Sequence, residues 1–301
     1  MGFSRVLLCL TLALTGGCAV AQPPTPAMWR VSDADNSLYL LGSFHLLKPD
    51  DYPLSATVEA AFGDAESVLF ELPPQEMGSP ATALAMTRAA LRGDGKTLAE
   101  EIGPALNAKL DAWTAANAEA LTKSGIAAPL LQRFEPWFVA LLISQVEMGK
   151  YGLDPALGLD AHFVAEAAKA GKPGAGLETG AQQITLLDGM SLDEQHQLLR
   201  ESLAEADEAK ARIEALHSAW RRGDDKTLWR EMALEMRREY PALYRRINVA
   251  RNDAWVPQLE ARLRAPGTDD TLVVVGAMHL LGEDGVVAKL RAKGYKVERL
   301  K

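Results

Sequence analysis

Two histidines in this chain are written in the same phrase. LYLLGSFH runs from Leu38 to His45, and TLVVVGAMH runs from Thr271 to His279: an apolar run, a glycine, two residues, a histidine. The chain holds five histidines and 24 glycines in 301 residues. Chance puts a glycine three places before a given histidine about once in twelve, or about 0.4 times across all five. Two cases are present, and both follow runs that read as strands. In a sheet with parallel strands, functional groups gather outside the carboxyl ends. Glycine there, as Gly42 and Gly276, lets the backbone leave the sheet sharply and lets another group approach. Neutral imidazole is the commonest metal ligand, and two converging imidazoles need only a carboxylate to complete an open three-ligand site. A single such histidine would more simply cap its strand end; the pair argues for function.

Glu71 is the natural third member. It ends the apolar run SVLFE and precedes Pro73-Pro74, so it too should emerge at a sheet edge. There it could ligate a metal or act as a general base on water. Glu178, in GLETGAQQ, follows a shorter strand-like run and reads equally well as a solvated loop residue. Asp160, in GLDAHF, precedes a helical pattern and reads as its N-cap. Arg251, late in a helical block, could pair with a site carboxylate or steady an oxyanion. His162, His196 and His217 lie in polar helical contexts and read as surface or capping residues. The chain contains no HExxH zincin motif, no GxSxG elbow and no GxGxxG fingerprint.

The elements that must carry these residues follow from the pattern. MWRVSDADNSLYLLG predicts a hairpin, SATVEAAFGDA a short helix, and ESVLFE a strand. Residues from about 80 to 170 and from 192 to 263 are helical in period, with a short strand expected in KPGAGLET. TLVVVG and GYKVERL close the chain as strands. The expected fold class is α/β, with α+β as the other layout: a central mixed sheet built from both chain ends and a large helical insertion between them. Strands without polar alternation imply a sheet covered on both faces. RGDGKTLAEE and RGDDKTLWRE echo each other at 92–101 and 222–231. The first lacks the glycine of a phosphate-binding loop; glycine ending one helix and threonine capping the next explains it, with Thr97 and Glu100 forming a capping box.

The balance of residues is 48% hydrophobic and 24% charged, with a formal charge of −8. No long basic run offers phosphate contacts, which excludes a nucleic-acid-binding reading. Residues 1–21 read as a signal peptide: Arg5, the apolar VLLCLTLAL, then AVA before Gln22. That apolar run is too short for a stable membrane span. The expected destination is across the inner membrane, in the periplasm. Lipoprotein anchoring through Cys18 is the lesser reading, because Thr15 stands where a lipobox has leucine. Both cysteines, Cys9 and Cys18, fall in this segment, so residues 22–301, read as one domain, contain no thiol.

LYLLGSFHLLKPDDYPL, VLFELPP, GLDAHF followed by AGKPGAGLETGAQQITLLDGM, ARND, and VVVGAMHLLGEDGVVAKLRAKGYKVERL together resemble the TraB/GumN family. That family is related to the Tiki metalloproteases, erythromycin esterase and the haem-uptake protein ChaN. The resemblance runs from about Trp29 to the end. It implies that Gly42/His45 and Gly276/His279 are paired GxxH motifs, that Glu71 is the strand-end glutamate, and that Arg251 with Asn252 is the RN pair. It further implies a divalent metal (Mn, Co, Fe or Zn) on His45, His279 and Glu71, and a peptide or protein substrate. Ser43 replaces the more usual threonine, and Gly174 a more usual valine-like residue, which would weaken that strand. The leading expectation is a secreted metal-dependent hydrolase, a peptidase. The alternatives are a non-catalytic periplasmic binding or regulatory protein tied to polysaccharide or peptide signalling, and a metal-free esterase-like hydrolase.

Overall fold

The structure is a computed structural model that describes residues 22–123 and 125–301, without the side chains of residues 205 and 207–209. The signal-peptide reading, with Cys9 and Cys18, lies outside the described residues. Six strands form one mixed sheet in the order β4-β3-β5-β2-β1-β6. They are β1 (Met28–Ser32), β2 (Ser37–Ser43), β3 (Ser67–Phe70), β4 (Gly174–Gly176), β5 (Thr271–Gly276) and β6 (Lys296–Leu300). β2, β5, β3 and β4 run parallel to one another; β1 pairs antiparallel with both β2 and β6. The α/β expectation, a mixed sheet drawn from both chain ends, holds.

The apolar runs explain the strands. Every residue of β2 and of β5 is buried, as expected for central strands covered on both faces. Full burial of each Leu, Val or Phe contributes ~1.5–3 kcal/mol, enough to fix the register against slippage. Helices cover the faces: α1 (Ala56–Asp64) between β2 and β3; α2 (Pro80–Ala89), α3 (Leu98–Ala116), α4 (Ala118–Lys123), α5 (Pro136–Lys150) and α6 (Leu159–Ala170) between β3 and β4. Between β4 and β5 run α7 (Gly180–Asp188), α8 (Leu192–Arg221), α9 (Asp225–Trp229), α10 (Glu235–Glu239), α11 (Pro241–Tyr244) and α12 (Ala250–Leu263). Two π-helical turns, Arg230–Leu234 and Arg245–Val249, interrupt this last stretch. Short α13 (Ala277–Leu280) and α14 (Val286–Ala292) lead to β6.

Two apolar cores result. One surrounds the sheet, with Leu40, Phe70, Val274, Trp220 and Trp255. The other lies within the helical insertion, where Leu110, Trp137, Ile143 and Leu199 pack between α3, α5 and α8. Among the described residues, no helix is long and apolar enough to cross a membrane.

Local expectations divide. Thr97 and Glu100 do form the capping box of α3. In the echo, however, Asp224 caps α9 and Thr227 lies inside it. β4 is short, with residues at 174 and 176 that must be glycine: a Cβ at 174 would stand 2.6 Å from Pro74 Cγ, and one at 176 would stand 2.3 Å from Pro73 N. The Pro-Pro segment therefore packs directly on the backbone of this strand. His217 is not a surface residue. Its Nε2 lies 2.8 Å from Asp51, which is fully buried. His162 packs its ring 4.6 Å from that of Tyr52.

The connections also open the crevice. β3 leads toward the β4 edge, whereas β5 leads toward the β6 edge. Adjacent strands whose continuations part in this way leave a crevice at their carboxyl ends.

One contact in this frame is tight enough to test. A Cβ on Gly158 would sit 2.0 Å from the carbonyl oxygen of His45. We expect Gly158→Ala to destabilise the protein by about 2–3 kcal/mol in urea denaturation. Gly149→Ala, inside α5 with open space around the Cβ position, should be neutral or stabilise by up to about 1 kcal/mol.

Candidate active site

Each of the four parallel strands ends on one residue that sequence reasoning singled out. β2 is followed by His45, β3 by Glu71, β4 by Glu178 and β5 by His279. The register sets Ser43 beside Gly276 and Phe70 beside Val274, so the ends lie nearly level. α12 crosses above them and contributes Arg251, Asn252 and Trp255. Arg251 and Trp255, four apart, share a helix face, and the guanidinium lies 4.8 Å from the Trp255 ring centre.

Arg251 binds three of the four strand ends. Its Nη2 donates to Glu71 Oε2 at 2.5 Å and also to Glu178 Oε1; its Nε donates to Glu178 Oε1 at 3.0 Å; its Nη1 lies 2.9 Å from His279 Nε2. A guanidinium only donates, so His279 Nε2 is the acceptor and the ring proton sits on Nδ1. That Nδ1 lies 2.7 Å from Asn252 Oδ1. The Asn252 amide is fixed in turn, because its Nδ2 donates to the carbonyl of Asp284 at 2.9 Å. Glu71 Oε1 accepts the Gly276 N–H at 2.7 Å. Glu178 also accepts from Gln183 and Trp255. It is thus a partly buried member of the cluster rather than a solvated loop residue.

The charge states follow. Burial pushes the His279 imidazole down to about 3, and Arg251 pushes the same way, so this ring is neutral. Burial alone would raise Glu71; Arg251, with His45 and the Gly276 N–H, outweighs it and holds the carboxyl well below its usual range.

His45 differs from its twin. Its side chain is 57% exposed against 5% for His279. Its Nδ1 lies 2.8 Å from Asp160 Oδ2, and the adjacent carboxylate raises the imidazole to about 9. Its Nε2 faces inward: His45 Nε2 and Glu71 Oε1 each stand 3.1 Å from the point that a Cβ on Gly276 would occupy. Gly42 has the reciprocal task, since a Cβ there would meet the Cβ of Ala277 at 3.2 Å. The glycine of each motif makes room for residues of the other. A cleft of about 630 Å³ opens over this floor, lined by His45, Glu71 and Asp160 opposite Leu72, Met77 and Val164.

Asp160 was read as an N-cap; Gly158 is the cap of α6, and Asp160 is the second residue of the helix. Its role as partner of His45 was missed, because that contact spans 115 residues of chain. Trp255 was missed as well.

The residues do not fit a metal ion as they stand. Among the described residues, no three or more His, Cys, Asp or Glu side chains could hold one. The His279 lone pair is taken by Arg251, and Glu71 has one oxygen on Arg251 and the other on Gly276.

A family model, the TraB/PrgY/gumN family, matches residues 27–299. Comparison with curated proteins and with solved structures finds no match.

The cluster makes Arg251 the group whose loss is felt most. Arg251→Met would leave Glu71 and Glu178 buried without their cation, and should cost about 3–5 kcal/mol at pH 8. Without the arginine, burial raises the folded-state pKa of Glu71, so the deficit should shrink as the pH falls and that carboxyl takes up a proton. Urea denaturation of both proteins at pH 8 and pH 5 measures this.

Proposed function

This chain belongs to the TraB/PrgY/gumN family, and we propose that it is a hydrolase of ester or amide bonds in which His45 moves the proton. The observation that carries this reading is the convergence of His45 Nε2 and Glu71 Oε1 on the floor of an open cleft, both against Gly276. Neutral His45 takes a proton from water at Nε2, the hydroxide adds to the substrate carbonyl carbon, and the same proton is delivered to the departing amine or alcohol. The products are a carboxylic acid and that amine or alcohol. Glu71, kept ionised by Arg251, orients the water and favours the imidazolium that forms. Arg251 serves by holding Glu71, Glu178 and neutral His279 in place.

A metal-dependent peptidase is the second reading, and one observation favours it. Both imidazoles are tied back through Nδ1, to Asp160 and to Asn252, so that both Nε2 atoms face Glu71. Metal-ligating histidines are commonly held in this way. The reading requires Arg251 to release His279. The leader-like segment is what supports the periplasm as the site of action, and the family resemblance is what supports a peptide or protein as substrate.

The test is turnover of p-nitrophenyl acetate and of a peptide panel by the tag-free protein, with and without EDTA. We expect activity that survives chelation and falls about 10²–10⁴-fold in His45→Asn. Loss on chelation with recovery on adding Mn²⁺ or Zn²⁺ would transfer the case to the second reading. Absence of turnover under every condition would leave a binding protein. The pH profile is a separate check. His45 is the base only when neutral, and Asp160 holds it protonated below about 9. kcat/KM should therefore rise about tenfold per pH unit up to that point and then level off; a fall above pH 9 would mean that His45 acts as an acid.

A further inference from the structure

The chain writes GxxH twice but gives the two imidazoles different partners. His279 Nδ1 meets the amide oxygen of Asn252 at 2.7 Å. His45 Nδ1 meets the Asp160 carboxylate at 2.8 Å, and the same Asp160 oxygen also accepts the hydroxyl of Ser43. Ser43 is the last residue of β2, buried, and paired in register with Gly276. Asp160 is thus anchored to the sheet by one contact and to the ring by the other.

The element that carries Asp160 is itself fastened to the His45 segment. Leu47 and Asp154 exchange backbone hydrogen bonds at 3.2 and 2.9 Å. The Tyr52 hydroxyl donates to the carbonyl of Leu157 at 2.7 Å. Leu159 N–H donates to the carbonyl of Phe44 at 3.2 Å, and Gly158 packs directly on the carbonyl of His45. Residues 154–160 thus clasp residues 44–47 along their length, and Asp160 is the one side chain of the clasp that reaches the ring. With Nδ1 donating to it, Nε2 is turned across the cleft toward Glu71.

We infer that Asp160 and Ser43 form a positioning pair that makes His45, rather than His279, the proton carrier of the site. Both act indirectly: Asp160 acts through the ring and Ser43 acts through Asp160. The inference rests on the proton-transfer role proposed for His45, and it identifies Ser43, where the resemblance leads one to expect threonine, as a hydroxyl that matters rather than a tolerated change.

The experiment uses full-length mature protein with Asp160→Asn, Ser43→Ala and Ser43→Thr. Proton NMR of the wild type should give a downfield imidazole N–H signal that disappears in His45→Asn. A carboxylate partner makes this bond stronger than an amide would, so the signal should move upfield in Asp160→Asn. It should stay in place in Ser43→Thr and broaden by exchange in Ser43→Ala. On p-nitrophenyl acetate, kcat should fall about 10²-fold in Asp160→Asn with KM unchanged, fall less in Ser43→Ala, and return to the wild-type value in Ser43→Thr. A signal unmoved in Asp160→Asn, or kcat within twofold of wild type, would overturn the inference. If wild type turns over no substrate, the hydrolase reading fails, while the NMR series still decides the positioning role by the same signal. Asp160→Asn keeps the side-chain shape, and an unchanged thermal midpoint separates positioning from folding.

Discussion

The site depends on one guanidinium. Arg251 stands between two carboxylates and an imidazole that arrive from three different strands, all largely withdrawn from water. Two carboxylates so close would repel each other, and burial alone would drive Glu71 toward its protonated form. The arginine reverses that outcome at Glu71 and adds to the burial that keeps His279 neutral. Its geometry does more than its charge. A planar fork of five donors can satisfy Glu71, Glu178 and His279 at once, as a lysine could not. Helix α12 and the sheet must therefore be held in one relative position, and Asn252, one residue further along the helix, fixes it from the other side through His279 and Asp284.

The two GxxH phrases are built into each other and are then made unequal. Gly42 leaves space for Ala277, and Gly276 leaves space for His45 and Glu71. Beyond that reciprocity they part. One ring is open to the cleft beside a carboxylate and titrates at about 9. The other is enclosed beside an arginine and titrates at about 3. Identical residues at identical spacing have acquired opposite protonation, because burial holds one ring neutral while the Asp160 carboxylate holds a proton on the other.

Much of this was legible in the residues. The strands were visible because continuous apolar runs bounded by turn residues have few other fates. His45, Glu71, Glu178 and His279 were visible because each follows such a run directly, and strand ends at one sheet edge converge. Arg251 was visible only as a helical arginine able to pair with a site carboxylate, and Asn252 came with the family resemblance. What stayed hidden was pairing across long stretches of chain. The bond from Asp160 to His45 depends on how α6 returns over β2, and a local reading assigned that aspartate to its own helix. Gly174 looked like a flaw in a strand, although its lack of a side chain is what admits Pro74. The polar histidine contexts at 162 and 217 hid buried contacts with Tyr52 and Asp51 for the same reason.

The π-helical turn at Arg245–Val249 ends where α12 begins, one residue before Arg251. An α-helix advances about 100° per residue, and a wide turn absorbs one residue more than a regular one. The direction in which Arg251 points is therefore a matter of phase. Removing a single residue from this turn would keep the helix, its composition and its apolar face length, yet swing the guanidinium a quarter-circle away from Glu71. In this stretch the protein tolerates a change of letter more readily than a change of count.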